Sequence, residues 1–263
     1  MGNTVDHSGA PVAVVFGGRS PIALACARKL SHTQDVILVT RRIDEDLETA
    51  VEGISRLKLM QADLEIKEAS ARLISTLYDS QQKINALIFL QRYRASGEQS
   101  YERHCAVELW SIEEALAVIK TRKQPKDHVR VLISSSPAAQ NVLLDQDLQY
   151  HLVKAGQEAL TRYLAAFYGR DAIDINAVRI GSIVLKERAM AYWTSKPVMI
   201  NGLKAMAPVG TLLSSDSVGA FFADLTTSSL KGLSGQIIDL DNGFSLLDGS
   251  QIAKELLSST ESI

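Results

Sequence analysis

The strongest constraint in this chain is an alternation. Short β-branched apolar runs, PVAVVF (11–16), DVILVT (35–40), LKLMQ (57–61), INALIFL (84–90), VRVLIS (129–134), AIDINAVRI (172–180) and GQIIDL (235–240), are separated by stretches of helical period near 20–31, 44–53, 66–81, 99–121, 148–168 and 215–228. A strand that is apolar at nearly every position has no solvent face, so helices must cover it on both sides. Strand and helix in regular turn imply right-handed crossovers between parallel strands. The expected fold is therefore α/β, a Rossmann-like doubly wound parallel sheet of about seven strands in three αβα layers. Sheets of this kind bind ligands outside the carboxyl ends of their strands, which is where function is expected.

No Pro-, Gly- or Ser-rich linker interrupts the alternation, so 263 residues that are 46% hydrophobic read as one domain over 11–247. Residues 1–10 read as a flexible polar tail and 248–263 as a C-terminal extension. A formal charge of −2 offers no footprint for nucleic acid or an anionic membrane. No run approaches the ~18 apolar residues of a membrane span. Cys26 and Cys105 sit inside apolar helical patterns, as buried thiols in a reducing compartment would, and the five scattered His show no ligand spacing. These features predict a cytoplasmic protein with no metal site.

After the first run comes GGRSPIALACARKL, a glycine pair entering an amphipathic helix, where backbone amides and the helix N-terminus can face a pyrophosphate. A strand-to-helix turn also needs glycine for purely geometric reasons. The second run ends in VTRRID, placing Arg41 and Arg42 where a dinucleotide fold reads the adenosine ribose. An acid there would bind the 2′-hydroxyl of NAD, whereas guanidinium groups suit the 2′-phosphate of NADP, and Arg19 adds a third positive charge. The alternative is that Arg41 and Arg42 pair with Asp44, Glu45 or Asp46.

Within QYHLVKAGQEALTRY, Tyr150 and Lys154 stand four apart on a helical segment and so share one face. With GGRSPIA (17–23), ADL (62–64), VLISSS (131–136), YHLVK (150–154), NAVRIGSI (176–183) and GQIIDLDNG (235–243) in this order, the chain resembles the classical short-chain dehydrogenase/reductase family over about residues 11–247. The resemblance implies an NADPH-dependent oxidoreductase, a carbonyl reductase or alcohol dehydrogenase, with NADP(H) preferred over NAD(H). Tyr150 would be the general acid or base, Lys154 would favour its phenolate and hold the nicotinamide ribose, and a serine would stabilise the substrate oxygen. Aligning VLISS makes that serine Ser135, with Ser136 as the alternative. Gly17, Arg19, Ser20 and Ile22 of the turn, Arg41, Arg42, Asp63, Leu64, Tyr150, Lys154, Gly181 and Ile183 are the implied cofactor contacts.

The chain departs from the family pattern in several places. Pro21 and Ala23 replace the second and third glycines, FLQR (89–92) replaces Asn-Asn-Ala-Gly, and Ile180-Gly181 replaces Pro-Gly. Glu108 stands where the family places an asparagine, either neutralising Lys154 or holding a water near it. These changes motivate a second reading, a dinucleotide-binding or assembly protein that has lost turnover. An enoyl-reductase reading ranks lower, because that branch spaces its Tyr and Lys by seven and position 157 is Gln. Residues 186–210, with Met190, Tyr192, Trp193, Met199, Leu203 and Met206, read as an apolar substrate lid suited to a sizeable, partly apolar ketone. The family also implies a homo-oligomer, a dimer or tetramer, through the helices near 99–121 and 148–168.

Overall fold

Each apolar run becomes a strand of one parallel sheet. In this computed structural model, which describes residues 10–94, 100–181, 184–185, 192, 194–227 and 232–254, the strands are β1 (Pro11–Phe16), β2 (Asp35–Thr40), β3 (Leu57–Gln61), β4 (Lys83–Phe89), β5 (Val129–Ser135) and β6 (Ile173–Ile180). The short β7 (Val184–Leu185) and β8 (Leu213–Ser214) pair with each other, and β9 (Ile237–Leu240) completes the main sheet. Its order is β3-β2-β1-β4-β5-β6-β9. The chain steps outward from β1 to β3, then returns to β4 on the other side of β1, which leaves a crevice at the carboxyl ends of β1 and β4.

The helices are α1 (Pro21–Ser31), α2 (Glu45–Val51), α3 (Ala69–Asp79), α4 (Tyr101–Cys105), α5 (Ser111–Arg122), α6 (Leu148–Tyr168), α7 (Pro197–Met206) and α8 (Ser215–Thr227). Alternate residues of the strands feed two cores. On one face Val14, Phe16, Leu87, Phe89, Val131 and Ile133 pack against α3, α5 and α6; on the other Ala13, Val15, Ile88 and Leu132 pack against α1 and α8. Phe16 and Phe89 stack at 4.7 Å between centroids, tying β1 to β4 just below the crevice. Helix α1 packs side by side with α8, where a Cβ on Gly219 would lie 2.6 Å from the Cβ of Ala25 and 2.7 Å from the amide of Cys26. Only a residue without a side chain lets these helices approach so closely.

Between α4 and α5 the helix continues through a π turn, Ala106–Trp110. Such single turns carry one residue more than an α-helix accommodates and recur at functional sites. Here the turn buries Glu108 completely. Helix α7 was not expected from the sequence: Pro197 fills its first turn, as proline does at helix starts, and Gly202 and Met206 are buried while Val198 and Met199 stay exposed. Met190 and Trp193 of the expected lid, and residues 255–263 of the expected C-terminal extension, lie outside the described residues. Among the described residues no helix is long and apolar enough to cross a membrane.

Candidate functional site

A groove of about 830 Å³ runs across the carboxyl ends of β1, β2, β4 and β5. Gly17, Arg19, Ser20 and Ile22 line one end, Arg41, Asp63 and Leu64 one side, and Ser135, Ser136, Tyr150, Lys154 and Gly181 the other end. Eleven scattered positions singled out from the sequence are thus brought to one surface: Gly17, Arg19, Ser20, Ile22, Arg41, Asp63, Leu64, Ser135, Tyr150, Lys154 and Gly181. Arg42 is exposed and does not line the groove. Ile183 lies outside the described residues.

The turn after β1 fits a dinucleotide better than its missing glycines suggest. Gly17 has φ +92° and lies against β4's exit, where a Cβ would sit 2.8 Å from the carbonyl of Leu90 and the amide of Gln91. The amides of Gly17 and Gly18 both donate to the carbonyl of Val39, fixing the turn's shape. Pro21 falls at the first position of α1, where its missing N–H costs nothing, and Ser20 makes no side-chain cap. The amides of Ile22 and Ala23 follow in the first turn, which has no intrahelical acceptors for them. A groove with a helix N-terminus at one end and guanidinium groups beside it suits a pyrophosphate-bearing cofactor.

The arginines pair differently from the sequence expectation. Arg19, not Arg41 or Arg42, forms the ion pair with Asp44, which is also the N-cap of α2. Arg41 reaches Glu65 at 3.0 Å, and Arg103 approaches the other oxygen of that carboxylate at 3.6 Å. Asp63 closes its own turn by accepting the Glu65 amide at 3.0 Å. The ion pairs of Arg19 and Arg41 are solvent exposed, hence worth little, and a phosphate can compete for them.

Tyr150 and Lys154 share the inward face of α6 and are both buried. Asp147 caps the helix by accepting the Tyr150 amide at 2.6 Å, which sets the tyrosine one turn inside the helix start. Ser135 does not present its hydroxyl in the expected way. It is in phase with Val131 and Ile133 on the strand face that packs against α6, and its Oγ donates to Glu158 at 3.0 Å. Glu158 is held in turn by both Nε and Nη2 of Arg179 at 2.9 Å, and Arg179 reaches Asp239 at 2.5 Å. Ser136 has left the strand; its Oγ accepts the Ala138 amide at 3.3 Å, and it lines the groove.

Of the two roles open to Glu108, the structure shows direct pairing. Lys154 Nζ donates to Glu108 Oε2 at 2.7 Å and to Gln157 Oε1 at 2.9 Å, and Gln157 Nε2 donates to the Glu108 carbonyl at 3.1 Å. Oε1 of Glu108 accepts the Tyr93 amide at 2.9 Å. Burial pushes this carboxyl upward, but the Lys154 charge, hydrogen bonds from His104 and Lys154, and the Tyr93 amide outweigh it and hold the group below its ordinary value. Buried charges persist only when paired and hydrogen-bonded in this way.

FLQR also has a structural role. Gln91 is buried, and its amide donates to the Val107 carbonyl at 3.1 Å, binding the end of β4 to the π turn. Arg92 lays its guanidinium 4.0 Å above the Tyr150 ring centroid and donates to Gln146 at 2.7 Å. The charge of Arg92 at the end of an otherwise apolar run is the signal in the sequence that it belongs to the site.

The family model described as "Enoyl-(Acyl carrier protein) reductase" matches residues 17–245. The rhamnolipids biosynthesis 3-oxoacyl-[acyl-carrier-protein] reductase of Pseudomonas aeruginosa is 21% identical over 248 residues, covering 89% of this chain and 96% of that protein. The NADH enoyl-[acyl-carrier-protein] reductase FabI of Escherichia coli is 31% identical over 97 residues, which is 36% of either chain. Among solved structures, a 3-oxoacyl-[acyl-carrier protein] reductase from Brucella melitensis in complex with NAD superposes with a TM-score of 0.77 at 21% identity, covering 91% of this chain and 98% of that one.

Proposed function

Because the chain belongs to the short-chain dehydrogenase/reductase family of nicotinamide dinucleotide-dependent oxidoreductases, we propose that it reduces a partly apolar ketone with NADPH, and oxidises the corresponding alcohol in reverse. The ketone is of the acyl-chain kind named for its two full-length relatives. One observation carries the reading: Tyr150 and Lys154 sit together at one end of a groove whose other end is the Gly17–Ile22 turn.

When bound, the dinucleotide supplies the hydride. The chain's own residues handle the proton and the oxygen. Tyr150 gives its phenolic proton to the carbonyl oxygen, and takes it back in the oxidative direction. Ser136 donates to the same oxygen, since the Ser135 hydroxyl is committed to Glu158. Lys154, held by Glu108 and Gln157, is positioned to meet the nicotinamide ribose. Arg19 and Arg41, which line the groove, favour the 2′-phosphate of NADP over the hydroxyl of NAD. The exposed aromatics Tyr101, Trp110, Tyr163 and Phe167, on the helical rod from Tyr101 to Arg122 and on α6, support association with further copies of the chain.

Two features favour the second reading, a dinucleotide-binding protein without turnover: Lys154 is neutralised by Glu108, and Ser135 faces Glu158. Fluorescence titration with NADPH and NADH, followed by assays of wild type and Tyr150→Phe on β-oxoacyl substrates, separates them. The reductase reading expects NADPH to bind and Tyr150→Phe to lose turnover while keeping cofactor affinity. Binding without wild-type turnover favours the second reading, and no binding rejects both.

A further inference from the structure

Four arginines line the groove, Arg19, Arg41, Arg92 and Arg94, and the first two are held by carboxylates. These are the carboxylates of Asp44 and Glu65, and Lys154 holds that of Glu108. Arg92 differs. Among the described residues its hydrogen-bond acceptor is the neutral amide of Gln146 at 2.7 Å, with the carboxylate of Asp145 on the far side of that amide. A guanidinium carries five N–H donors, so one such bond leaves most of its fork open. Its guanidinium carbon lies 4.0 Å from the centroid of the Tyr150 ring, and both residues line the groove.

The position is also fixed in advance. The amide of Tyr93, on one side of Arg92, is held by Glu108 at 2.9 Å, and the side chain of Gln91, on the other, is held by Val107 at 3.1 Å. A pre-positioned fork beside a proton donor is suited to a ligand with two oxygen functions, one for each group. We propose that Arg92 determines substrate specificity by receiving a carboxylate borne by the ketone itself. Within the acyl-chain ketones proposed above, the substrate is then the free oxo acid, whose carboxylate lies one or two carbons from the carbonyl that meets Tyr150.

This rests on the reductase reading, and its test separates the two. Calorimetry follows β-hydroxyoctanoate and its methyl ester binding to the protein, with and without NADP, while NADPH formation is measured on the same samples. Wild type is expected to bind the acid at least about tenfold more tightly than the ester, the equivalent of one charge-assisted hydrogen-bonded pair. Arg92→Gln should abolish that preference with NADP affinity unchanged, and Arg92→Lys should restore part of it. Equal binding of acid and ester, binding of neither, or a preference that survives in Arg92→Gln overturns the proposal. Acid preference without NADPH formation keeps the Arg92 assignment and rejects the reductase reading; NADPH formation without acid preference does the reverse.

Discussion

The ammonium of Lys154 and the carboxylate of Glu108, 46 residues apart, meet at 2.7 Å with both side chains buried. Neither group can leave the pair without stranding the other away from water. Glu108→Ala is therefore expected to cost about 3–5 kcal/mol of unfolding free energy, with Glu108→Gln losing less because it keeps an acceptor for Lys154 and for the Tyr93 amide. Urea denaturation at neutral pH measures both.

The same pair sets an acid limit. Glu108 is held below its ordinary value of 4.5, so its contribution is fully present above the unfolded-state value and is lost as pH falls through the depressed folded one. Wild type should lose stability in that acidic window more steeply than Glu108→Gln, which has no proton to take up. Equal slopes in thermal melts across the window would count against the pairing.

An alkaline limit follows from a buried thiol and a half-buried phenol whose charged forms are disfavoured. Burial, only partly offset by Lys29, pushes the Cys26 thiol up to about 12, and burial with Asp127, partly offset by Arg122, pushes the Tyr78 phenol up to about 12. Folded values raised in this way contribute stability that is fully present below the unfolded values, 9.0 for Cys26 and 10.0 for Tyr78, and that declines from there toward about 12. Thermal midpoints should fall over that range, and native Cys26 should resist a thiolate-directed reagent that labels the urea-unfolded chain.

Cofactor choice rests on exposed charge. Replacing Arg19 and Arg41 together by Ala should weaken NADPH binding about tenfold while leaving NADH within about twofold, because only NADPH carries the phosphate they would face. Competitive fluorescence titration decides it, and equal losses for the two cofactors would remove the arginines from recognition.

Gly17→Ala tests the turn. At φ +92° and with a Cβ 2.8 Å from the Leu90 carbonyl and the Gln91 amide, the methyl group meets backbone just past the end of β4. A loss of about 2 kcal/mol or more is expected in chemical denaturation. Dinucleotide affinity should fall with it.

The sheet was legible because its code is short. Runs such as PVAVVF and DVILVT coincide with β1 and β2 to the residue, since continuous apolar character admits no other phase. The site was legible where spacing alone sets proximity, as for Tyr150 and Lys154 on one helix. Pairings between elements were not: nothing in the sequence distinguishes Glu65 from Asp46 as the partner of Arg41, and for Glu108 it left direct pairing with Lys154 and a bridging water equally open. Ser135 illustrates an intermediate case. Its phase with Val131 and Ile133 can be read from the sequence, but not which strand face looks onto α6.

The π turn between α4 and α5 amounts to a shift of reading frame within a helix. One residue more or fewer in Ala106–Trp110 would rotate everything after it by about 100°. Ile112, Leu116 and Ile119, which bury α5 against the sheet, would then turn toward water as Glu108 left Lys154. Helix packing and the charge beside Tyr150 are in this way locked to one indel position, so a viable change in length there would have to alter both at once.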